Sequence, residues 1–230
     1  MPDANEQVLK FCDEPSPRAR MNDASRYALY YAPEEGSEWA SFGEQWFARI
    51  DEAPRRYGFH ATLKAPFRLA QGSSPQALLD HLLAYCARRS VWTMPPLKIA
   101  LLDDFLALVP EVEDPEIDLV AAQCVTLFDQ YRAPLNECDL ARRKPERLDA
   151  GELGLLTRWG YPYVLERFRF HLSLSGPLGG TDPRRIAELT LKASKAMHSL
   201  GRPAFDAICV FEEPREGGPF RLLRRVPFTG

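Results

Sequence analysis

Two short stretches alternate strictly between polar and apolar residues, and each centres on a histidine. In Tyr57-Gly-Phe-His-Ala-Thr-Leu-Lys64, an extended chain puts His60, Thr62 and Lys64 on one face and Phe59, Ala61 and Leu63 on the other, because successive strand side chains point to opposite sides. In Arg169-Phe-His-Leu-Ser-Leu-Ser175 the polar set is His171, Ser173 and Ser175, opposed by Phe170, Leu172 and Leu174. Both stretches predict sheet strands with an apolar underside. The upper side of each carries an imidazole and, two residues on, a hydroxyl.

Elsewhere the pattern is helical or turn-like. Trp39, Phe42, Trp46, Phe47 and Ile50 recur at helical spacing and predict an amphipathic helix over 38–50, preceded by a strand over 26–31. Ser74-Pro75 and Asp182-Pro183 are cap-then-proline starts. The helices they open are expected to bury Leu78, Leu79, Leu82, Leu83 and Cys86 in the first case, and Ile186, Leu189, Ala193, Met197 and Leu200 in the second. This phase leaves His81 and His198 on polar faces, as bystanders. Leu97 to Leu102 and Phe105 to Val109 predict a hairpin turning at Asp103-Asp104. Ile117 to Tyr131 predicts a helix, Asp139 to Trp159 one or two short ones, and Gly160 with Pro162 a loop into the second motif.

The order strand, helix, strand, strand therefore occurs twice, once after each motif, with Pro66 and Pro177 each six residues past their histidine. A repeated order of this kind predicts a duplicated α+β unit. The expected organisation is one bilobal domain over 25–230, its internal duplication centred on His60 and His171, with residues 1–24 as a flexible tail.

Composition narrows the functional classes. The 230 residues are 45% hydrophobic and 27% charged with a net charge of −3, so a general nucleic-acid coat or an anionic-membrane binder is not expected. No apolar run is long enough to span a bilayer. The five cysteines are odd in number and lack metal-finger spacing, which predicts reduced thiols and a cytoplasmic location. There is no HExxH, His-x-His, GxSxG or GxxxxGK[ST] sequence. Zinc, serine-hydrolase and P-loop chemistries have no anchor, and no cofactor or metal is expected.

Arg55-Arg-Tyr-Gly-Phe-His-Ala-Thr-Leu-Lys-Ala-Pro-Phe67, Ala133-Pro-Leu135 and Arg158-Trp-Gly-Tyr-Pro-Tyr-Val164, together with the paired His-x-Thr/Ser motifs, resemble the two-histidine (2H) phosphoesterase superfamily. The closer likeness is to its branch associated with phosphonate-utilisation operons. The resemblance implies two pseudo-symmetric lobes, each a mainly antiparallel sheet with helices outside. His60 with Thr62, and His171 with Ser173, would face a common cleft between them, with no required metal. Ser173 keeps the hydroxyl of the motif but not the stiff β-branched rotamer of threonine.

Two imidazoles suit phosphodiester cleavage: one accepts a proton from the attacking water while the other, held protonated, donates to the leaving oxygen. Thr62 and Ser173 would hydrogen-bond the non-bridging oxygens, with Arg56, Lys64 and Arg169 stabilising the charge. Tyr57 lies within the block that carries the resemblance and joins the substrate-binding candidates. Tyr161 or Tyr163 would form an aromatic wall beside a sugar or base, or pack under their loop. Arg142-Arg143-Lys144 would be solvated surface, or close over a second phosphate. The expected function is metal-independent hydrolysis of a small cyclic phosphate of a sugar or nucleotide, with phosphonate metabolism the setting that the resemblance implies. The alternatives are processing of RNA ends bearing a 2',3'-cyclic phosphate, and a module that binds phosphorylated ligands without turnover. Oligomeric state is left open.

Overall fold

Each α-helix among the described residues starts on a side chain that accepts a hydrogen bond from its first turn. The caps are Ser37 for α1 (Glu38–Arg49), Ser74 for α2 (Pro75–Cys86), Asp114 for α3 (Pro115–Leu127), Asn136 for α4 (Glu137–Arg143), Asp149 for α5 (Ala150–Trp159) and Asp182 for α6 (Pro183–Met197). Such caps satisfy backbone N–H groups that the helix itself leaves unpaired. The computed structural model describes residues 25–50, 54 and 58–230. The expected tail, together with Arg56 and Tyr57, lies outside the described residues.

The fold is α+β, with antiparallel sheets. The strands are β1 (Arg26–Tyr31), β2 (Ala61–Arg68), β3 (Trp92–Thr93), β4 (Leu97–Leu102), β5 (Phe105–Pro110), β6 (Leu172–Ser173), β7 (Ala204–Phe205), β8 (Ala207–Glu213) and β9 (Arg221–Pro227). They form a four-stranded sheet in the order β2-β1-β8-β9, a three-stranded sheet β4-β5-β6 and a small pair β3-β7. The first motif strand thus shares a sheet with the hairpin of the second half, and the second motif strand with the hairpin of the first. Both of these sheets combine strands from the two halves of the chain.

One hydrophobic core spans both sheets. It takes Leu29, Tyr31, Leu63, Ile208 and Val210 from the larger sheet, and Leu106, Leu108, Leu172 and Leu174 from the smaller. Leu78, Val120 and Leu189 bring α2, α3 and α6 onto it. Thr62, Tyr30 and Cys209, whose registers align across β2, β1 and β8, lie on the opposite face of the larger sheet. There Tyr30, Cys209, Phe211 and Phe220 form a separate small cluster.

Five expectations are corrected. Leu83, expected in the stripe that α2 buries, is exposed, because the face that α2 turns to the core is narrowed to Leu78, Leu82 and Cys86. The second motif is only a two-residue strand, because Ser175 turns its hydroxyl to accept from the Leu106 backbone N–H where a ladder bond would otherwise form. Parity fails for Lys64: the β1–β2 register shifts twice between Tyr27 and Tyr30, and the side chain is buried. His81 is not solvated but half-buried, its ring 4.6 Å from that of Phe128. Cys86, Cys124 and Cys209 are buried free thiols, whereas Cys138 is disulfide-bonded. An odd count without motif spacing argues against a disulfide framework, not against a single bridge.

Candidate functional site

Neither histidine lies inside its strand; each stands one residue before it, His60 ahead of β2 and His171 ahead of β6. The two are braced alike. His60 Nδ1 lies 3.0 Å from the carbonyl oxygen of Gly58, and His171 Nδ1 lies 2.7 Å from that of Arg169, in both cases two residues back. A carbonyl only accepts, so Nδ1 carries the proton and donates. This tautomer leaves the Nε2 lone pair for chemistry. The turn behind His60 runs through Gly58, whose φ of 70° lies in the left-handed region that glycine enters without steric cost.

Packing fixes the rings. His60 stacks on Tyr30 with centroids 4.0 Å apart and planes 26° from parallel. His171 lies tilted against Phe105 at 5.5 Å. Phe59, immediately before His60, packs on α1 so closely that a Cβ added to Gly43 would come within 2.5 Å of its ring. Phe170, immediately before His171, meets Tyr31 of the larger sheet at 5.7 Å. The residue preceding each histidine is thus anchored in the core.

The hydroxyl residues follow at half-buried positions, Thr62 paired with Tyr30 and Ser173 with Ala107. Burial moves the His171 pKa below the usual imidazole value; the Nδ1 bond opposes this and the Arg169 charge adds to it. The balance favours the neutral imidazole. Arg169 is exposed beside it.

The other basic candidates lie elsewhere. Lys64 is 3% exposed, its amine bonded to the Val125 carbonyl and the Asp129 carboxylate, each at 3.1 Å. Desolvation lowers its pKa, with Asp129 opposing. Arg142 pairs with Glu216 and with Asp139. Arg143 stacks over Tyr161 at 4.6 Å, and Tyr161 meets the exposed Tyr163 edge-on at 5.6 Å. Arg143 and Tyr161 line a recess with Arg26, Arg68 and Arg132. The structure thus places His60 with Thr62, His171 with Ser173 and Arg169, and Arg143 with Tyr161. Tyr30 and Phe105 are supporting residues that sequence reasoning missed; their only sequence signal was aromatic content in a predicted strand. Among the described residues no group of three or more His, Cys, Asp or Glu forms a metal-holding cluster, and no helix is long and apolar enough to cross a membrane.

Comparison with known proteins places this geometry in context. A protein named "Ribose 1,5-bisphosphate phosphokinase PhnN" from Janthinobacterium sp. (strain Marseille) is 38% identical over 248 residues, covering 94% of this chain and 54% of that protein. Its namesake from Laribacter hongkongensis (strain HLHK9) is 33% identical over 224 residues, covering 87% and 51%. The chain spans about half the length of these curated relatives. Among solved structures, a conserved protein of unknown function, ATU0111 of Agrobacterium tumefaciens str. C58, gives a TM-score of 0.42 at 14% identity, covering 98% of this chain and 99% of its own. Kluyveromyces marxianus Usb1 gives 0.39 at 8% identity, covering 90% and 100%. Likeness at that level is too slight to bear on function. By the match over residues 62–221, the chain belongs to the family described as "Protein of unknown function (DUF1045)".

Proposed function

We propose that this protein is a phosphodiesterase of the two-histidine type, hydrolysing a small cyclic phosphate of a phosphorylated sugar. The observation that carries the reading is the repeated brace: each histidine gives its Nδ1 proton to the carbonyl two residues back and is followed two residues on by a hydroxyl. A structural histidine has no need of this arrangement twice over, whereas an acid–base pair needs its tautomers fixed.

In the proposed reaction His171, held neutral, accepts a proton at Nε2 from water, whose oxygen attacks phosphorus. The ring P–O bond breaks, and its electron pair stays on the leaving sugar oxygen, which takes a proton from His60 Nε2. Water is added across one P–O bond, and a cyclic diester becomes a monoester. Thr62, Ser173 and the Arg169 guanidinium donate to the non-bridging oxygens as charge builds there. The imidazoles handle the protons and the guanidinium the charge, so the mechanism calls for no metal.

The substrate class draws on the relatives. They are named for a kinase of ribose 1,5-bisphosphate, and this chain, which matches half of each, has no GxxxxGK[ST] phosphate loop. We assign nucleotide-dependent phosphorylation to the half that this chain does not match. A ribose 5-phosphate bearing a 1,2-cyclic phosphate would open to ribose 1,5-bisphosphate, the compound in the kinase's name.

The test is a phosphorus NMR assay with that compound, 2',3'-cyclic nucleotides and an RNA ending in a 2',3'-cyclic phosphate. The expected result is conversion of the ribosyl cyclic phosphate to its monoester, unaffected by EDTA. Turnover should fall roughly 100-fold or more in His60→Ala and in His171→Ala. Preference for the RNA end would redirect the substrate assignment, and no turnover of any cyclic phosphate would overturn the enzyme reading.

A further inference from the structure

The end of the β1–β2 pair remote from His60, where Arg26 lies opposite Arg68, opens on a recess that collects positive charge. Arg26, Lys64, Arg68, Arg132 and Arg143 line it, and among its lining residues Asp139 alone carries a carboxylate. Asp129 pairs with Lys64 and Arg132, and Glu213 with Arg26. Five cations therefore meet three carboxylates, and the neighbouring pair of Arg142 with Glu216 adds one of each. Two positive charges are left over, in a site whose apolar walls include Phe67, Val125 and Trp159. Such walls strengthen the field that remains.

Arg26 supplies the recess with open donors. It engages the buried Glu213 carboxylate through Nε, at 2.5 Å. Among the described residues neither Nη1 nor Nη2 of Arg26 meets a protein acceptor, and neither is sealed from solvent. The side chain is 11% exposed and forms part of the recess wall, so these two groups open into the recess. Arg68 commits both of its Nη groups to Asp139, and Arg132 commits Nε and Nη2 to Asp129. Those two contribute charge and fixed walls; Arg26 contributes a two-pronged donor that matches two oxygens of a phosphoryl group.

Size and position narrow the ligand. The recess has a volume of about 20 Å³, more than one ordered water needs and too little for a sugar or a base. It admits the head of an anion and leaves the carrier at the mouth. β1 and β8 pair without a register shift, Arg26 opposite Glu213, Ala28 opposite Phe211 and Tyr30 opposite Cys209. Arg26 thus stands on the sheet face that carries the Tyr30 ring, about 13 Å along the strand from it. His60 stacks on that ring.

We propose that the recess is an anion site for a phosphomonoester, gripped by Nη1 and Nη2 of Arg26 while Arg68, Arg132 and Arg143 neutralise its charge. The ligand class is a small phosphomonoester bound by its dianionic head. The inference goes beyond the phosphodiesterase reading and does not rest on it, since neither motif histidine takes part.

Calorimetry on the full chain with ribose 5-phosphate, dimethyl phosphate and ribose tests this without turnover. Wild type should bind ribose 5-phosphate, bind the singly charged diester at least about tenfold more weakly, and not bind ribose. Arg26→Lys keeps a positive charge opposite Glu213 but loses the two-pronged donor, and should weaken ribose 5-phosphate binding by roughly tenfold or more. Should that variant fail to fold, Arg143→Gln removes one of the surplus charges and should weaken binding by about 3- to 10-fold. Unchanged affinity in the folded variant, or wild type that binds none of the compounds, overturns the proposal. Binding lost in His60→Ala but kept in Arg26→Lys would place the phosphate at the histidines and overturn it too. Binding lost in Arg26→Lys, with no turnover of any cyclic phosphate by wild type, would support this site and overturn the enzyme reading.

Discussion

Each motif histidine is poised by two neighbours, a carbonyl two residues back and an aromatic ring against its face. For His171, burial depresses the folded-state pKa below the usual value. The unfolded chain therefore binds more protons between that value and about 6.5, and stability rises with pH across the window. Acidification from about pH 6.5 downward should lose this contribution. Denaturant titrations of wild type and His171→Gln should converge in acid if the assignment holds. The same depression places the acid limb of kcat/KM below the ordinary imidazole range; a limb at or above it would argue against His171 as the base. Tyr30 is 1% exposed under His60. Tyr30→Leu keeps an apolar side chain but removes the stack, so it should lower kcat more than it raises KM, as a merely structural contact would not. Both histidines and both hydroxyls were legible in the sequence through alternation. Their tautomers were not, because the brace depends on a backbone turn that no alternation encodes.

At the scale of elements, the approach of α1 to the His60 segment is set by Gly43, where an added Cβ would fall 2.5 to 2.6 Å from atoms of Phe59. A helix-interior glycine gives up roughly 0.5–1 kcal/mol relative to alanine, yet here alanine cannot fit unless Phe59 moves. Gly43→Ala should therefore destabilise the protein by about 1–3 kcal/mol and reduce turnover through displacement of His60. An unchanged melting curve would show that Phe59 yields freely. The buried Lys64 is the second element-level device, tying β2 to the end of α3 through Val125 and Asp129. Removal of one partner from a buried pair costs about 3–5 kcal/mol. Asp129 is a quarter exposed, so Lys64→Ala should sit near or below the low end, measured by chemical denaturation. The approximate helix positions and two of the caps, Ser74 and Asp182, were legible because they depend on neighbours within a turn. Lys64 was misplaced because strand parity assumes a regular ladder, and β1–β2 contains two register shifts.

At the scale of the molecule, the order of strands along the chain and their partition between sheets do not coincide. β2 of the first half completes its sheet with β8 and β9 of the second, and β6 of the second pairs with β5 of the first. Fragments cut between α3 and α4 should not fold alone, since each would expose the edges of an incomplete sheet and half of the shared core. Sharp, dispersed amide NMR spectra from either fragment would contradict this; recovery of a native spectrum on mixing would support it. The amino-acid sequence by itself determined most of the longer elements, the Ser74 and Asp182 caps, the α+β class and the two histidine-hydroxyl motifs, because these follow from periodicity and local hydrogen bonding. Tertiary structure alone decided which strands pair, that Lys64 is buried, that Tyr30 and Phe105 support the imidazoles, and that Arg26 and Arg68 meet Arg132 and Arg143 in one recess. Those outcomes depend on contacts between residues as far apart as Arg26 and Glu213, and cross-strand register is a property of the assembled sheet rather than of any segment of it.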